Sequence, residues 1–202
     1  MTRSSAARAA VLLLLLLAPA AVARAASLEP FRGHVGIGYA KLFESGGEDP
    51  VGDRPSPPGG SLSAEGGFDY PIAPRLRIGA SLGYHLLGSR NVPRGSLVAS
   101  LDYSALTTAL QLHWEPQSLG PITRLSAGPA IFNKHIELST SGGGALFSDL
   151  ARASTALGAA LDATLMPRGD RPVKVGFEVG TRIGFFDDEV WTLATGRLVF
   201  HY

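Results

Sequence analysis

Apolar and polar side chains alternate, residue by residue, through eight segments of this 202-residue chain. The clearest segment runs from Val173 to Phe185, where every second residue is apolar or Thr, while Lys174, Glu178 and Arg182 lie between them. A period of two is typical of a β-strand that has one face in an apolar medium and the other in a polar one. The pattern therefore predicts an all-β protein of eight strands.

The links between these segments alternate in length. The short turns are 73–75, 115–121 and 167–172, and the longer or more polar links between them are 43–60, 87–96, 139–150 and 187–189. This alternation predicts antiparallel neighbours in an up-and-down barrel. The first strand would begin, and the last strand would end, on the same side, as in outer-membrane barrels. Within the fifth segment the alternation changes phase before Phe132, which predicts a β-bulge near Pro129.

The first 25 residues have a different character. Arg3 and Arg8 precede the apolar run 11–17, and Ala23-Arg24-Ala25 follows it. A basic start, a short apolar middle and a small-residue site predict a cleaved secretory signal peptide over 1–25, with a barrel domain over 26–202. Without the leader, 15 basic residues stand against 17 acidic ones, so the charge excess of a nucleic-acid binder is missing. The chain has no Cys, which excludes disulfides and thiolate metal sites.

The polar face of the strands separates a membrane barrel from a soluble one. A soluble, lipocalin-like barrel would need a densely charged polar face, because that face would be its outer surface. Here the face consists largely of Gly, Ser, Thr and Ala, with isolated charges of both signs. These charges are Glu65, Asp69, Arg77, Glu115, Asp162, Lys174, Glu178, Arg182 and Arg197. Such a set suits an enclosed lumen where charges pair, so we predict an antiparallel transmembrane β-barrel with a polar interior. Arg182 is expected to pair with Glu178 or with a cross-strand neighbour.

Aromatic side chains favour the same orientation, because they lie on the apolar face and several are near strand ends. They are Tyr39, Tyr70, Tyr84, Trp114, Phe177, Phe185 and Phe200. Tyr and Trp are enriched where a membrane meets water. We therefore predict an interfacial aromatic girdle.

The last residues carry the most specific local feature. Leu198, Phe200 and Tyr202 alternate with polar or smaller positions and resemble the terminal signal of outer-membrane barrels, in which Phe is the commoner final residue. Together with the eight-segment rhythm, residues 31–202 resemble the small eight-stranded outer-membrane barrels of the OmpA, OmpX and OmpW type. The resemblance implies a monomer exported to the outer membrane of a Gram-negative-type bacterium. It also implies contact with outer-membrane lipids and lipopolysaccharide, and with periplasmic chaperones and the barrel-assembly machinery during biogenesis.

Candidate chemistry is sparse. His85 or His113 with Ser81 and Asp69 could form a hydrolase or acyltransferase site acting on lipid A, but spacing alone is weak evidence for one. We expect no catalysis, no metal, no cofactor and no nucleic-acid partner. The favoured function is a structural or adhesive role carried by the surface loops. A small pore or a conduit for small or apolar solutes, as the OmpW resemblance implies, is the main alternative, and a lipid A-modifying enzyme ranks below it.

Overall fold

The eight predicted strands are present and close on themselves. The computed structural model describes residues 31–46, 59–94, 96–138, 151–168, 172–187 and 189–202, so the predicted signal peptide lies outside the described residues. The strands are β1 (Arg32–Gly46), β2 (Ser61–Ala73), β3 (Leu76–Arg94), β4 (Leu97–Trp114), β5 (Ile122–Leu138), β6 (Arg152–Leu165), β7 (Lys174–Phe185) and β8 (Glu189–His201). Within the described ranges, no helix is long and apolar enough to cross a bilayer.

Each strand pairs antiparallel with its neighbours in chain order, and β8 pairs with β1. The closing ladder runs from Gly46 opposite Glu189 to His34 opposite His201. Beyond it, Gly33 and Tyr202 exchange two backbone hydrogen bonds with N···O distances of 3.0 and 3.1 Å. Closure pairs both edge strands, which would otherwise present unsatisfied backbone groups. The predicted closed eight-stranded antiparallel barrel is therefore confirmed.

The two ends of the barrel differ in their links. At the end that we name the turn end, β1 begins, β8 ends, and the links 74–75, 115–121 and 166–173 join the strands. At the opposite end, named the loop end, lie the links 47–60, 95–96, 139–151 and 186–188. The predicted placement of both sheet ends on one side is observed.

The expected long link over 87–96 is wrong. β3 and β4 are 19 and 18 residues long and stay paired up to Arg94 opposite Leu97, so only residues 95–96 separate them. Gly88 and Pro93 lie within β3 instead of in a loop. Gly88 has φ of 92° beside the register shift that follows Leu86, a conformation that glycine adopts without strain.

The expected bulge near Pro129 is also wrong. The β4–β5 register is the same on both sides of it, with Ala109 opposite Ala130 and Leu112 opposite Ala127. The described shift in β5 lies near its start, between Ile122 and Arg124. Phe132 is apolar and yet points inward. The apparent change of phase therefore arises because the interior becomes apolar here, and the strand itself continues without a bulge.

The outer face is apolar along β2 and β7. Between Leu62 and Ile72 on β2, and between Val175 and Phe185 on β7, no outward position carries a charged side chain. Leu157 is 76% exposed and Trp114 46%. An apolar band of this kind, wrapped around a closed barrel, is what a bilayer core requires of its outer surface.

Candidate functional site in the barrel interior

Five charged side chains near the middle of the lumen form one network. Arg182 donates from Nη2 to both Glu65 oxygens (2.8 and 2.9 Å) and from Nη1 to Asp162 (2.7 Å). Arg197 donates to Glu65, to Asp162 (3.2 Å) and to Glu178 (2.8 Å). Glu65 belongs to β2 whereas Arg182 belongs to β7, so these bonds cross the lumen. Of the two partners expected for Arg182, Glu178 is not the observed one, because it bonds to Arg197, its direct cross-strand partner. The bond to Asp162 on the neighbouring strand β6 fits the other expectation, a cross-strand neighbour.

Neutral side chains complete the network. Gln111 on β4 donates to Asp162 Oδ2 (2.6 Å), and Thr164 donates to Glu178 Oε2 (2.8 Å). Every oxygen of the three carboxylates therefore accepts at least one hydrogen bond. This satisfaction offsets much of the cost of removing the charges from water.

The same three carboxylates lie close enough to form a candidate cation site, since one oxygen of each falls within 4.8 Å of the others. Hard cations such as Ca²⁺ prefer several carboxylate oxygens. Here, however, the guanidinium groups of Arg182 and Arg197 bond to those oxygens. The residues therefore fit an internal ion-pair network better than a metal centre.

Glycines make room for this network. Glu65, Asp69 and Asp162 each face a glycine across the ladder, namely Gly83, Gly79 and Gly180. A Cβ at Gly83 would lie 3.0 Å from Glu65 Oε2 and 2.8 Å from Thr107 Oγ1, closer than real Cβ contacts. The run of small residues on the polar face therefore has a packing reason, because an eight-stranded barrel encloses little more than side chains.

A second network lies nearer the turn end. Asp69 accepts from Arg77, and from Arg124 Nη1 at 3.0 Å. Arg124 Nη2 also donates to His113 Nδ1 at 2.9 Å, and His113 Nδ1 lies 2.7 Å from Ser126 Oγ. The four acids and four arginines of the two networks balance in charge. Together they fill the turn-end half of the lumen, which we name the polar half.

The loop-end half of the interior, named the apolar half, is packed with hydrocarbon. Its buried residues are Ala40, Leu42, Leu87, Val92, Ala99, Leu101, Tyr103, Ala105, Phe132, Trp191 and Leu193. The Phe132 and Trp191 rings meet edge to face with centroids 6.1 Å apart. Lys134 forms an ion pair with Glu189 and lies 4.4 Å from the centroid of Phe186. The polar interior that the sequence predicts thus occupies only one half.

Seven of the nine predicted lumen charges lie in the two networks. Glu115 does not, because it follows the end of β4 and forms a half-exposed ion pair with Arg32 (2.8 Å). Lys174 begins β7 at the rim of the turn end and has no ion pair within the described part of the chain. Sequence reasoning missed Arg124, Lys134 and Gln111. Arg124 and Lys134 alternate with Leu125 and Ile131, a signal that the supposed bulge concealed.

The predicted girdle residues lie on the outer face or at its margins. Trp114, Tyr70, Phe177 and Phe200 are nearer the turn end and Phe185 is at the loop end of β7, whereas Tyr39 and Tyr84 lie near the middle of β1 and β3. The predicted assembly signal follows the last strand, where Leu198 is 53% exposed and Phe200 39%. Whether a girdle at the membrane surface and an assembly signal are their roles stays a prediction.

The candidate hydrolase residues do not form a nucleophile–base pair. Ser81 donates to Gln111 Oε1 at 3.5 Å, and Asp69 bonds to two arginines. His85 lies between Ser63 Oγ (2.9 Å) and Thr107 Oγ1 (3.0 Å). Ser81 therefore lacks the neighbouring base that activation of a serine requires.

Solved structures share this fold. The attachment invasion locus protein Ail of Yersinia pestis, in complex with the heparin analogue sucrose octasulfate, aligns over 85% of this chain and 99% of its own, with 10% identity and a TM-score of 0.55. Neisserial surface protein A aligns over 85% of this chain and 94% of its own, with 14% identity and a TM-score of 0.49. The N-terminal β-barrel domain of Pseudomonas aeruginosa OprF aligns over 85% and 97%, with 12% identity and a TM-score of 0.45.

No protein-family model matches the chain, and no curated protein sequence matches it. At 10% identity, the likeness to Ail shows the fold alone. The chain thus has the eight-stranded barrel fold of a small outer-membrane protein.

Proposed function

We propose that the protein is an integral outer-membrane barrel with a closed interior that carries surface loops in a structural or adhesive role, without pore activity or catalysis. The observation that carries the proposal is the filled lumen. Guanidinium–carboxylate bonds cross it in the polar half, and fully buried side chains such as Trp191 and Leu193 occupy the apolar half. Such a barrel holds a membrane position and a set of loops but offers no axial path for a solute.

Membrane insertion is supported by the contrast between the two faces. The described strands bury Arg182 and Arg197 inside while they expose Leu157, Phe185 and Val175 outside. A soluble protein reverses this arrangement, because burying charge and exposing large apolar groups are both unfavourable in water. In a bilayer, an outward Arg or Lys at the midplane would cost about 2–4 kcal/mol.

The turn end is the proposed periplasmic end. Outer-membrane barrels have short turns on the periplasmic side and longer loops outside. The links 47–60 and 139–151 would then face the exterior, together with the extended tip of the β3–β4 hairpin. An adhesive role would use these segments, in line with the attachment function that the name of Ail states for that protein.

Conductance in planar bilayers tests the closed lumen. Full-length protein folded in detergent and added to the bilayer should give no discrete, steady openings under conditions where an established porin does. Cell fractionation and heat-modifiable gel mobility should find the same preparation in the outer membrane and folded. Steady openings from folded protein would instead support a pore or conduit.

A matched replacement tests the adhesive part. Residues 139–150 are exchanged for a Gly-Ser segment of equal length, and the amount of folded barrel in the outer membrane is measured for both proteins. Cells that carry the native chain should adhere to a test surface more than cells that carry the replacement. Equal adhesion at equal barrel levels would contradict a role for this loop.

A further inference from the structure

The turn end of the barrel opens into a cavity of about 780 Å³ with an unbalanced charge. Among the described residues, its charged side chains are Arg32, Arg75, Arg124, Arg168, Lys174 and one acid, Glu115. The lumen above it is balanced, acid against base. Within the described part of the chain, the mouth therefore carries more positive than negative side chains, and only one of its cations, Arg124, belongs to the interior networks.

Three of these cations, Arg75, Arg168 and Lys174, form no ion pair with a described residue. Glu115 is already paired with Arg32. Neither Arg75, which holds the tight turn between β2 and β3 at φ of 66°, nor Lys174, at the start of β7, forms an ion pair with a described residue. Both side chains are therefore available to an external anion.

Hydrogen bonds connect two of the links that form the rim around these side chains. Arg168 donates from Nη2 to the backbone oxygens of Gln117 (3.0 Å) and Gly120 (3.4 Å), which ties the β6–β7 link to the β4–β5 link. Both acceptors are neutral carbonyl groups, so the positive charge of Arg168 at the mouth is not neutralised by them. The rim thus holds charge in fixed positions on several separate strands and turns.

The lining also contains an unsatisfied buried donor or acceptor. His201 lines the cavity, and its Nε2 atom is buried without a hydrogen-bond partner among the described residues. Buried polar atoms are nearly always hydrogen-bonded, so this atom calls for a polar partner, either water or a ligand. Its neighbour Arg124 is saturated by Asp69, Ser126 and histidines, and contributes charge alone.

We infer that this mouth is a binding site for a multiply charged phosphate compound. Guanidinium groups bind oxyanions with paired hydrogen bonds, and Lys is a common phosphate binder. The cations lie on separate elements around a cavity that is much larger than one phosphate group, so a ligand with two linked phosphates can reach several of them. Candidate sources are a soluble diphosphate and the headgroup of an anionic phospholipid.

Calorimetric titration of the folded full-length protein with pyrophosphate, in a zwitterionic detergent at low salt, tests the site. The mouth variant combines Arg75→Gln with Lys174→Gln, and the control combines Lys41→Gln with Arg152→Gln, which removes two exposed charges at the loop end. We expect saturable binding to one site that weakens about tenfold or more in the mouth variant, as loss of charge-assisted bonds requires. The control should bind within about twofold of the native chain, because its charges lie towards the opposite end of the barrel and cannot contact a ligand in the mouth.

Equal weakening in the two double variants, or no saturable heat in the native chain, would overturn the inference. Heat-modifiable gel mobility checks folding, and Lys174→Gln alone serves if the double variant does not fold. Repeating the titration with cardiolipin in the micelles distinguishes the sources, because competition supports a lipid headgroup and its absence supports a soluble phosphate. The measurement uses detergent-folded protein, so its outcome is independent of whether the barrel conducts or adheres.

Discussion

The polar half and the apolar half of the lumen solve the same packing problem with opposite chemistry. In the polar half, Arg182 and Arg197 are fully buried and bond across the barrel to carboxylates on β2, β6 and β7. In the apolar half, Trp191, Phe132 and Leu193 fill most of the space with hydrocarbon, beside one ion pair between Lys134 and Glu189. On β2 and β7 the outer face carries no charged side chain along either half. The bilayer therefore dictates one face of each strand, while the inner face needs only to be filled.

The difference teaches how each half should respond to damage. A buried ion pair that loses one partner leaves an uncompensated charge, whereas an apolar core that loses a side chain leaves a cavity. The first cost is electrostatic and the second is a packing cost. Substitutions in the two halves, measured on the same protein, therefore test the division directly.

The largest effect is expected in the polar half. Arg197→Ala removes the bonds to Glu65, Asp162 and Glu178 and leaves Glu178 with only its bond from Thr164. The free energy of unfolding should fall by about 3–5 kcal/mol in urea titrations of the vesicle-folded protein. Arg152→Ala, an exposed arginine of β6, is the matched control and should change stability by less than about 0.5 kcal/mol. A loss below about 1 kcal/mol for Arg197→Ala would mean that the network is hydrated.

A smaller loss is expected in the apolar half. Leu193→Ala opens a cavity beside Trp191 and should cost about 3 kcal/mol in the same titration. Leu161→Ala is the matched control, because Leu161 lies on the outer face and is 48% exposed. Lipid chains can fill the space left there, so its loss should be smaller by at least about 1 kcal/mol. Equal losses at both positions would argue against a packed apolar half.

The smallest effect is expected outside both halves. Glu115→Ala removes the half-exposed ion pair with Arg32, and such pairs contribute about 0–1 kcal/mol. We expect a change in unfolding free energy within about 0.5 kcal/mol that vanishes at high salt. A loss comparable to that of Arg197→Ala would return Glu115 to the lumen network, as its position in the alternating pattern had suggested.

The strands and their facing were predictable because a period of two is a local signal. From Val175 to Phe185, the facing of each side chain depends only on whether it suits the apolar medium outside the barrel. The structure places these residues as the alternation predicts. The interior was less predictable, since its filling depends on residues that meet across the barrel. Glu65 and Arg182 are 117 positions apart and meet only because β2 and β7 face each other in the closed sheet.

The errors have the same origin. The predicted bulge near Pro129 assumes that the apolar side chain of Phe132 faces lipid. In the structure Phe132 packs on Trp191 inside the barrel. The predicted link over 87–96 rests on residue types that favour turns, such as Gly88 and Pro93. In the structure Leu87 and Val92 of this segment point inward and belong to the buried residues of the apolar half. In both cases the prediction assumed a lumen that is polar throughout, whereas these apolar residues point into an apolar part of it.

The two tryptophans of the chain give the most direct test of which face meets lipid. Trp114 is 46% exposed on the outer face, whereas Trp191 is fully buried in the lumen. Each is replaced by Phe in turn, and the fluorescence of the remaining tryptophan is measured in vesicles of brominated phospholipid. The structure predicts strong quenching of Trp114 in the Trp191→Phe protein and little quenching of Trp191 in the Trp114→Phe protein. The reverse result would contradict the assignment of the apolar face to the bilayer and of the charged face to the interior.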